Sequence, residues 1–121
     1  MGKRILIIED NEIDMLLVKR RLNYFGYNEI FTAEDVGEGV KRAVEVKPDL
    51  VILDTLLPDS NGFEACRQIR EIFGSVTPKV IMMTGSVDAV DAVKARRMGA
   101  DDYCAKTSDC IPIIEAVKKL I

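Results

Sequence analysis

The chain has 121 residues, with 17 Lys and Arg against 20 Asp and Glu for a formal net charge of −3, and it contains no histidine. That length suits one domain around one core, while the acidic balance argues against a nucleic-acid surface, which needs clustered Lys and Arg. The missing histidine excludes Ser-His-Asp and Cys-His nucleophile systems, an ordinary His-containing zinc site and a phosphohistidine of the chain's own.

Short, dense apolar runs alternate with longer periodic ones. "KRILIIE" (Lys3 to Glu9) reads as a first strand, and Ile13, Leu16, Leu17, Val18, Leu22 and Phe25 follow at helical spacing. "EIFTA" (Glu29 to Ala33) is a second strand, with Val36, Val40, Ala43 and Val44 forming the next helical stripe. "LVILD" (Leu50 to Asp54) precedes a helix holding Phe63, Cys66, Ile69 and Phe73. "KVIMMT" (Lys79 to Thr84) precedes Val90, Val93 and Met98, and "DYCAK" (Asp102 to Lys106) precedes Ile114, Val117 and Ile121. Punctuation agrees: Gly26 and Gly99 fall at helix ends, Asp35 and Asp109 are placed to cap the second and fifth helices, and Pro112 sits in a first turn. Strands apolar on both faces, each followed by an amphipathic helix, predict a doubly wound α/β fold with a parallel sheet covered on both sides.

No stretch approaches the roughly 20 apolar residues of a membrane span, and no signal peptide is evident, so a soluble cytoplasmic protein is expected. Cys66, Cys104 and Cys110 have no paired-motif spacing and read as reduced thiols.

In an open parallel sheet, ligands bind beyond the carboxyl ends of the strands, where strand order reverses. The residues there are Glu9 and Asp10, Asp54, Thr84 and Lys106. Each has a plain alternative: Glu9 and Asp10 as helix-start acids, Asp54 as the start of a polar loop, Thr84 as a turn residue, Lys106 as a solvated charge. Together they resist that reading, because close carboxylates repel by about 3 to 4 kcal/mol per pair at 4 to 5 Å and an effective dielectric near 20. A hard divalent ion, Mg2+, would relieve the repulsion alongside Lys106. With no His, Ser or Cys at a strand end the natural nucleophile is a carboxylate, and Asp54, between the acidic pair and the hydroxyl and ammonium groups, is the candidate to attack phosphorus and become an aspartyl phosphate, with Lys106 and Thr84 stabilising the transferred group.

The blocks "IIED", "VILDTLLPDSNG" (the frame Asp54, Pro58, Gly62), "IMMTG" and "GADDYCAK" occur in an order that resembles the receiver domain of two-component response regulators, over the whole chain. The resemblance implies a flavodoxin-like (βα)5 fold with strand order 2-1-3-4-5. It implies phosphoryl transfer to Asp54 from a histidine kinase or histidine phosphotransfer protein, and Mg2+ held by Asp10, Asp54 and the backbone carbonyl of Leu56, with Glu9 acting mainly through a bound water. It further implies a switch in which Thr84 is drawn to the phosphoryl group and Tyr103 turns inward, changing the partner preference of the face built from the last two helices and the fifth strand. Residues 1–121 would form one receiver domain with no output domain in the chain, acting on a downstream protein target and with dimerisation through the last helices left open. Three positions depart from or tune the pattern. Thr107 follows Lys106 where the family commonly has a proline, often after a cis bond, which leaves the Lys106–Thr107 isomer open. The resemblance also implies that Leu56 and Ser86 occupy the positions that tune phosphate lifetime in the family.

Two rival readings remain. An aspartate-nucleophile phosphatase of the haloacid-dehalogenase type wants a second aspartate where Leu56 stands. A receiver-like module that binds partners without phosphorylation has all its chemical positions filled but is not excluded by them.

Overall fold

The apolar runs form the centre of the molecule because they can bury both faces of a strand. A computed structural model describes residues 2–121. The strands β1 (Arg4–Ile8), β2 (Glu29–Ala33), β3 (Leu50–Asp54), β4 (Lys79–Thr84) and β5 (Asp102–Ala105) alternate with helices α1 (Glu12–Tyr24), α2 (Val36–Val46), α3 (Gly62–Phe73), α4 (Ala89–Arg97) and α5 (Ile111–Leu120). All strand pairs are parallel and the order is 2-1-3-4-5, the flavodoxin-like arrangement expected. Strand order reverses between β1 and β3, so the loops after these two strands flank the crevice where such sheets bind ligands.

Alternation along each strand divides the core in two. Leu6, Ile8, Val51, Leu53, Val80 and Met82 face one side, where residues of α2, α3 and α4 cover them. Ile5, Ile7, Leu50, Ile52, Ile81 and Met83 face the other, under α1 and α5. Every residue of β3 is buried, Asp54 included.

Four helices start on a side chain that accepts the N–H three residues on: Asn11 for α1, Asp35 for α2, Asn61 for α3 and Asp88 for α4. The expected cap of α5 is displaced by one residue. Cys110, in a left-handed conformation at φ 58°, occupies the cap position without a side-chain bond, and Asp109 accepts the N–H of Ile111 at 3.0 Å from one residue earlier. Asp59, in the loop after β3, also caps α2 from outside by accepting the N–H groups of Val36 and Gly37 at 2.9 and 3.0 Å.

Two helical stripes expected in the core are largely outside it. In α1 only Val18 and Leu22 are buried, while Ile13 is 70% exposed; in α4, Val90 is 75% exposed and Ala95 alone is buried. The sheet is five strands wide, and a helix on its flank can bury only the narrow strip that rests on the strands. No helix among the described residues is long and apolar enough to cross a membrane.

Candidate functional site

The same alternation that builds the core decides which strand-end side chains meet. Continuing β1 past Ile7 places Glu9 on the α1–α5 side, and continuing β3 past Ile52 places Asp54 there too. Cys104 packs on that side, so Lys106, two residues on, joins them. Thr84 continues the opposite set, Val80 and Met82, and Tyr103 packs against the same opposite core. Two groups of predicted residues therefore lie on the two sides of the sheet edge.

The first group is a charge cluster. Lys106 Nζ donates to Asp54 Oδ2 at 2.9 Å and lies 2.6 Å from Glu9 Oε1 and 2.8 Å from Asp14 Oδ2. One carboxylate oxygen from each of Glu9, Asp10 and Asp54 falls within 4.8 Å of the others. Glu9 is buried, its Oε2 accepting the N–H of Asn11 at 3.1 Å. Its Oε1 is paired with the Lys106 ammonium. Asp54 Oδ1 accepts the N–H of Leu56 at 3.2 Å, which orients the carboxylate and folds the chain back toward an isolated bridge between Leu56 and Asn61. Asp10, Asn11, Asp14, Asp54, Leu56, Leu57, Pro58 and Lys106 line an open cleft of about 380 Å³.

Burial pushes the Glu9 carboxyl up to about 7, opposed by Lys106 and reinforced by neighbouring Asp54. Burial alone would lower Lys106, but its contacts with Asp14, Glu9 and Asp54 outweigh that and hold the ammonium above its ordinary range. The site thus keeps one strongly retained positive charge beside a crowd of acids.

The second group is bound up locally. Thr84 Oγ1 donates to Ser86 O at 3.1 Å and accepts the Ser86 N–H at 3.2 Å, so its hydroxyl is spent within its own loop. The Tyr103 hydroxyl accepts the N–H of Asp88 at 3.3 Å, tying the middle of β5 to the cap of α4.

Between Lys106 and α5, the peptide after Lys106 is trans; the one cis bond among the described residues is Thr77–Pro78. Thr107 Oγ1 donates to Asp109 Oδ1 at 2.7 Å, and Cys110 N–H donates to the Thr107 carbonyl at 3.2 Å. This turn shapes the loop where the family pattern has proline, and Lys106 still reaches Asp54. Cys66 and Cys104, pushed up by burial to about 11 and 12, are protonated thiols at neutral pH.

The family model described as the response regulator receiver domain matches residues 5–118. The chain belongs to that family. Receiver domains take a phosphoryl group from histidine kinases and act on downstream targets. This one is 37% identical over 106 residues to the alkaline phosphatase synthesis transcriptional regulatory protein PhoP of Bacillus subtilis, covering 88% of this chain and 43% of that one. It is 32% identical over 118 residues to the protein PilH of Pseudomonas aeruginosa, covering 98% of this chain and 97% of that one. The receiver domain thus spans less than half of the first relative and nearly all of the second. A CheY-like response regulator receiver domain protein from Methanospirillum hungatei shares the structure at a TM-score of 0.87 and 29% identity, over 98% of this chain and 93% of that one. The Vibrio cholerae chemotaxis protein CheY4, at 21% identity, has the same fold over the full length of both chains with a TM-score of 0.91.

The motif blocks brought out Glu9, Asp10, Asp54, Thr84 and Lys106. Asp14 was missed. Its place in the first turn of α1 gives it an ordinary helix-start explanation, and only the fold carries it to Lys106.

Proposed function

We propose that Asp54 is the phosphoacceptor of this receiver domain, taking a phosphoryl group from the phosphohistidine of a partner kinase or phosphotransfer protein. The observation that carries this is the carboxylate of Asp54 held at the cleft floor by a 2.9 Å hydrogen bond from Lys106, with the Glu9 and Asp10 oxygens beside it. An oxygen of Asp54 forms a bond to phosphorus as the P–N bond of the donor breaks, and that electron pair returns to the imidazole nitrogen. Lys106 offsets the charge on the equatorial oxygens, a fixed charge in a partly buried site that costs no reorganisation during transfer.

The oxygen set fits Mg2+, because three hard carboxylate donors lie within 4.8 Å of one another at the end of the sheet. Asp10, Asp54 and the backbone carbonyl of Leu56 would hold the ion, with Glu9 reaching it through water. When bound, Mg2+ supplies positive charge that screens the carboxylates from one another and from the incoming phosphoryl group. The chain acts as a signalling domain that shapes its own phosphorylation rather than as a turnover enzyme.

The two sides of the sheet edge suggest how the signal leaves. A phosphoryl group on Asp54 offers Thr84 an acceptor stronger than the Ser86 carbonyl. Drawing Thr84 out of its loop loosens the segment 84–88, to which the Tyr103 hydroxyl is tied through Asp88. Tyr103 then turns inward, and the face built from α4, β5 and α5 changes shape for a downstream protein.

Incubation with acetyl phosphate and Mg2+ followed by intact-mass measurement tests the acceptor. The wild type is expected to gain one phosphate and Asp54→Asn none. An unlabelled wild type, beside a receiver domain that labels under the same conditions, would sink the proposal and leave a module that binds partners without phosphorylation.

A further inference from the structure

The third carboxylate on Lys106 belongs to no part of the acceptor chemistry described above. Asp14 stands on α1, three residues after Asn11, whose side chain accepts the Asp14 N–H at 3.0 Å. That bond holds the start of the helix so that Asp14 Oδ2 reaches Lys106 Nζ at 2.8 Å. A first-turn acid needs only to lie near the helix N-terminus to be favourable, and solvent is open to it. Asp14 instead turns to the ammonium and lines the same cleft as Asp54.

The three acids around Lys106 differ in what they do for it. Glu9, fully buried, and Asp54, 9% exposed at its side chain, already fix the nitrogen from within, one by contact at 2.6 Å and the other by the directed hydrogen bond. Asp14, 37% exposed at its side chain, approaches from the solvent side, so it is not needed to place the nitrogen. What it adds is negative charge. The Asp14 and Asp54 oxygens lie 2.8 and 2.9 Å from one nitrogen, so an anionic phosphoryl group arriving at Asp54 meets the Asp14 carboxylate across that nitrogen and competes with it for the same ammonium.

We propose that Asp14 acts through Lys106 to slow phosphoryl transfer to Asp54, by holding part of the lysine charge away from the incoming group. This rests on the reading of Asp54 as phosphoacceptor. In the step itself Asp54 oxygen bonds to phosphorus, the donor's P–O or P–N bond breaks, and the leaving acetate or imidazole keeps the electron pair. Asp14 takes no part in those bonds. It sets how much of the Lys106 charge answers the phosphoryl oxygens.

The test compares the wild type with Asp14→Asn and Asp14→Glu, following acetyl phosphate labelling by intact mass at saturating Mg2+, with thermal unfolding recorded for each. Asp14→Asn keeps the shape and removes the charge, so labelling is expected to rise about tenfold, while Asp14→Glu restores the charge and returns to near the wild-type rate. Binding of beryllium fluoride, a phosphoryl analogue that needs no bond-breaking, is expected to tighten in Asp14→Asn by a similar factor. A purely structural Asp14 would change melting temperature and leave both ratios alone. Equal labelling rates within twofold, or a slower Asp14→Asn, with the wild type labelled, would overturn the role of Asp14 alone. Failure of every protein to label would remove the acceptor reading and this one with it.

Discussion

The absence of histidine makes Glu9 unusually easy to observe. Its carboxyl is raised from 4.5 to about 7, chiefly by burial, and it is the one side chain whose resolved shift places its titration between pH 5 and 8. Asp59, Asp109 and Glu64 are lowered by hydrogen bonds to backbone or to Arg67 and so act in acid, the thiols are pushed upward by burial, and Lys106 is held upward by its acids. For a raised carboxyl the folded state binds the proton more tightly than the unfolded chain, so the stability it contributes is full below about 4.5 and is lost as pH rises through about 7. The interval between those values converts to at most about 3 kcal/mol, an upper bound because Glu9 shares its environment with Asp54. Urea unfolding in EDTA, followed by far-UV circular dichroism because the chain has no tryptophan, should give a stability at pH 8 about 2 to 3 kcal/mol below that at pH 5. Glu9→Gln should flatten this slope, since its amide does not ionise. Added Mg2+ should stabilise the wild type more at pH 8 than at pH 5, because an ion needs the carboxylates ionised. A metal-free stability that stays level or rises from pH 5 to 8, or a slope that survives in Glu9→Gln, would refute the assignment of the raised group to Glu9.

Three further outcomes follow from the geometry. Lys106→Ala removes the cation that contacts Asp54, and acetyl phosphate labelling should slow by about a hundredfold, as loss of one fixed electrostatic donor does elsewhere; a change under threefold would contradict its role. Gly62→Ala places a Cβ 2.2 Å from the Asp54 carbonyl oxygen and 2.8 Å from Leu53 Cδ1, so it should cost about 2 to 3 kcal/mol in denaturant unfolding. Gly37→Ala, whose nearest contacts would be 3.7 Å away, should be neutral or gain about 0.5 kcal/mol, and equal effects at the two glycines would count against the close approach at Gly62. Arg70→Ala removes bonds to the Gly99 and Pro78 carbonyls and to Asp101 at the opposite end of the sheet, and should destabilise by about 2 to 4 kcal/mol while wild-type labelling kinetics persist below the lowered melting temperature.

Local chemistry made much of this protein legible before any fold was known. Runs such as "LVILD" and "KVIMMT" carry their strand assignment in composition and length, and the boundaries of β2, β3 and β4 coincide with those read from the chain. Asp35, Gly26 and Gly99 act where capping and left-handed turns require them, Gly26 at φ 91° and Gly99 at φ 100°. Glu9, Asp10, Asp54, Thr84 and Lys106 were legible because each ends or follows a strand, and parallel strands deliver their carboxyl ends to one edge whatever the helices do.

Sequence alone determined the elements, the parallel sheet and the identity of the strand-end acids, hydroxyl and ammonium, since these depend on neighbours within a few residues. Only the tertiary structure decided which of them meet. Alternation across the sheet puts Glu9, Asp54 and Lys106 on the α1–α5 side and leaves Thr84 and Tyr103 on the other, a division that needs each strand's facing to be known. Asp14 reaches Lys106 from a different element, 92 positions away along the chain, as the numbering of the ion pair shows. Exposure of Ile13 and Val90 was likewise settled by the width of the sheet under each helix, a property of the assembled layers that helical periodicity does not contain.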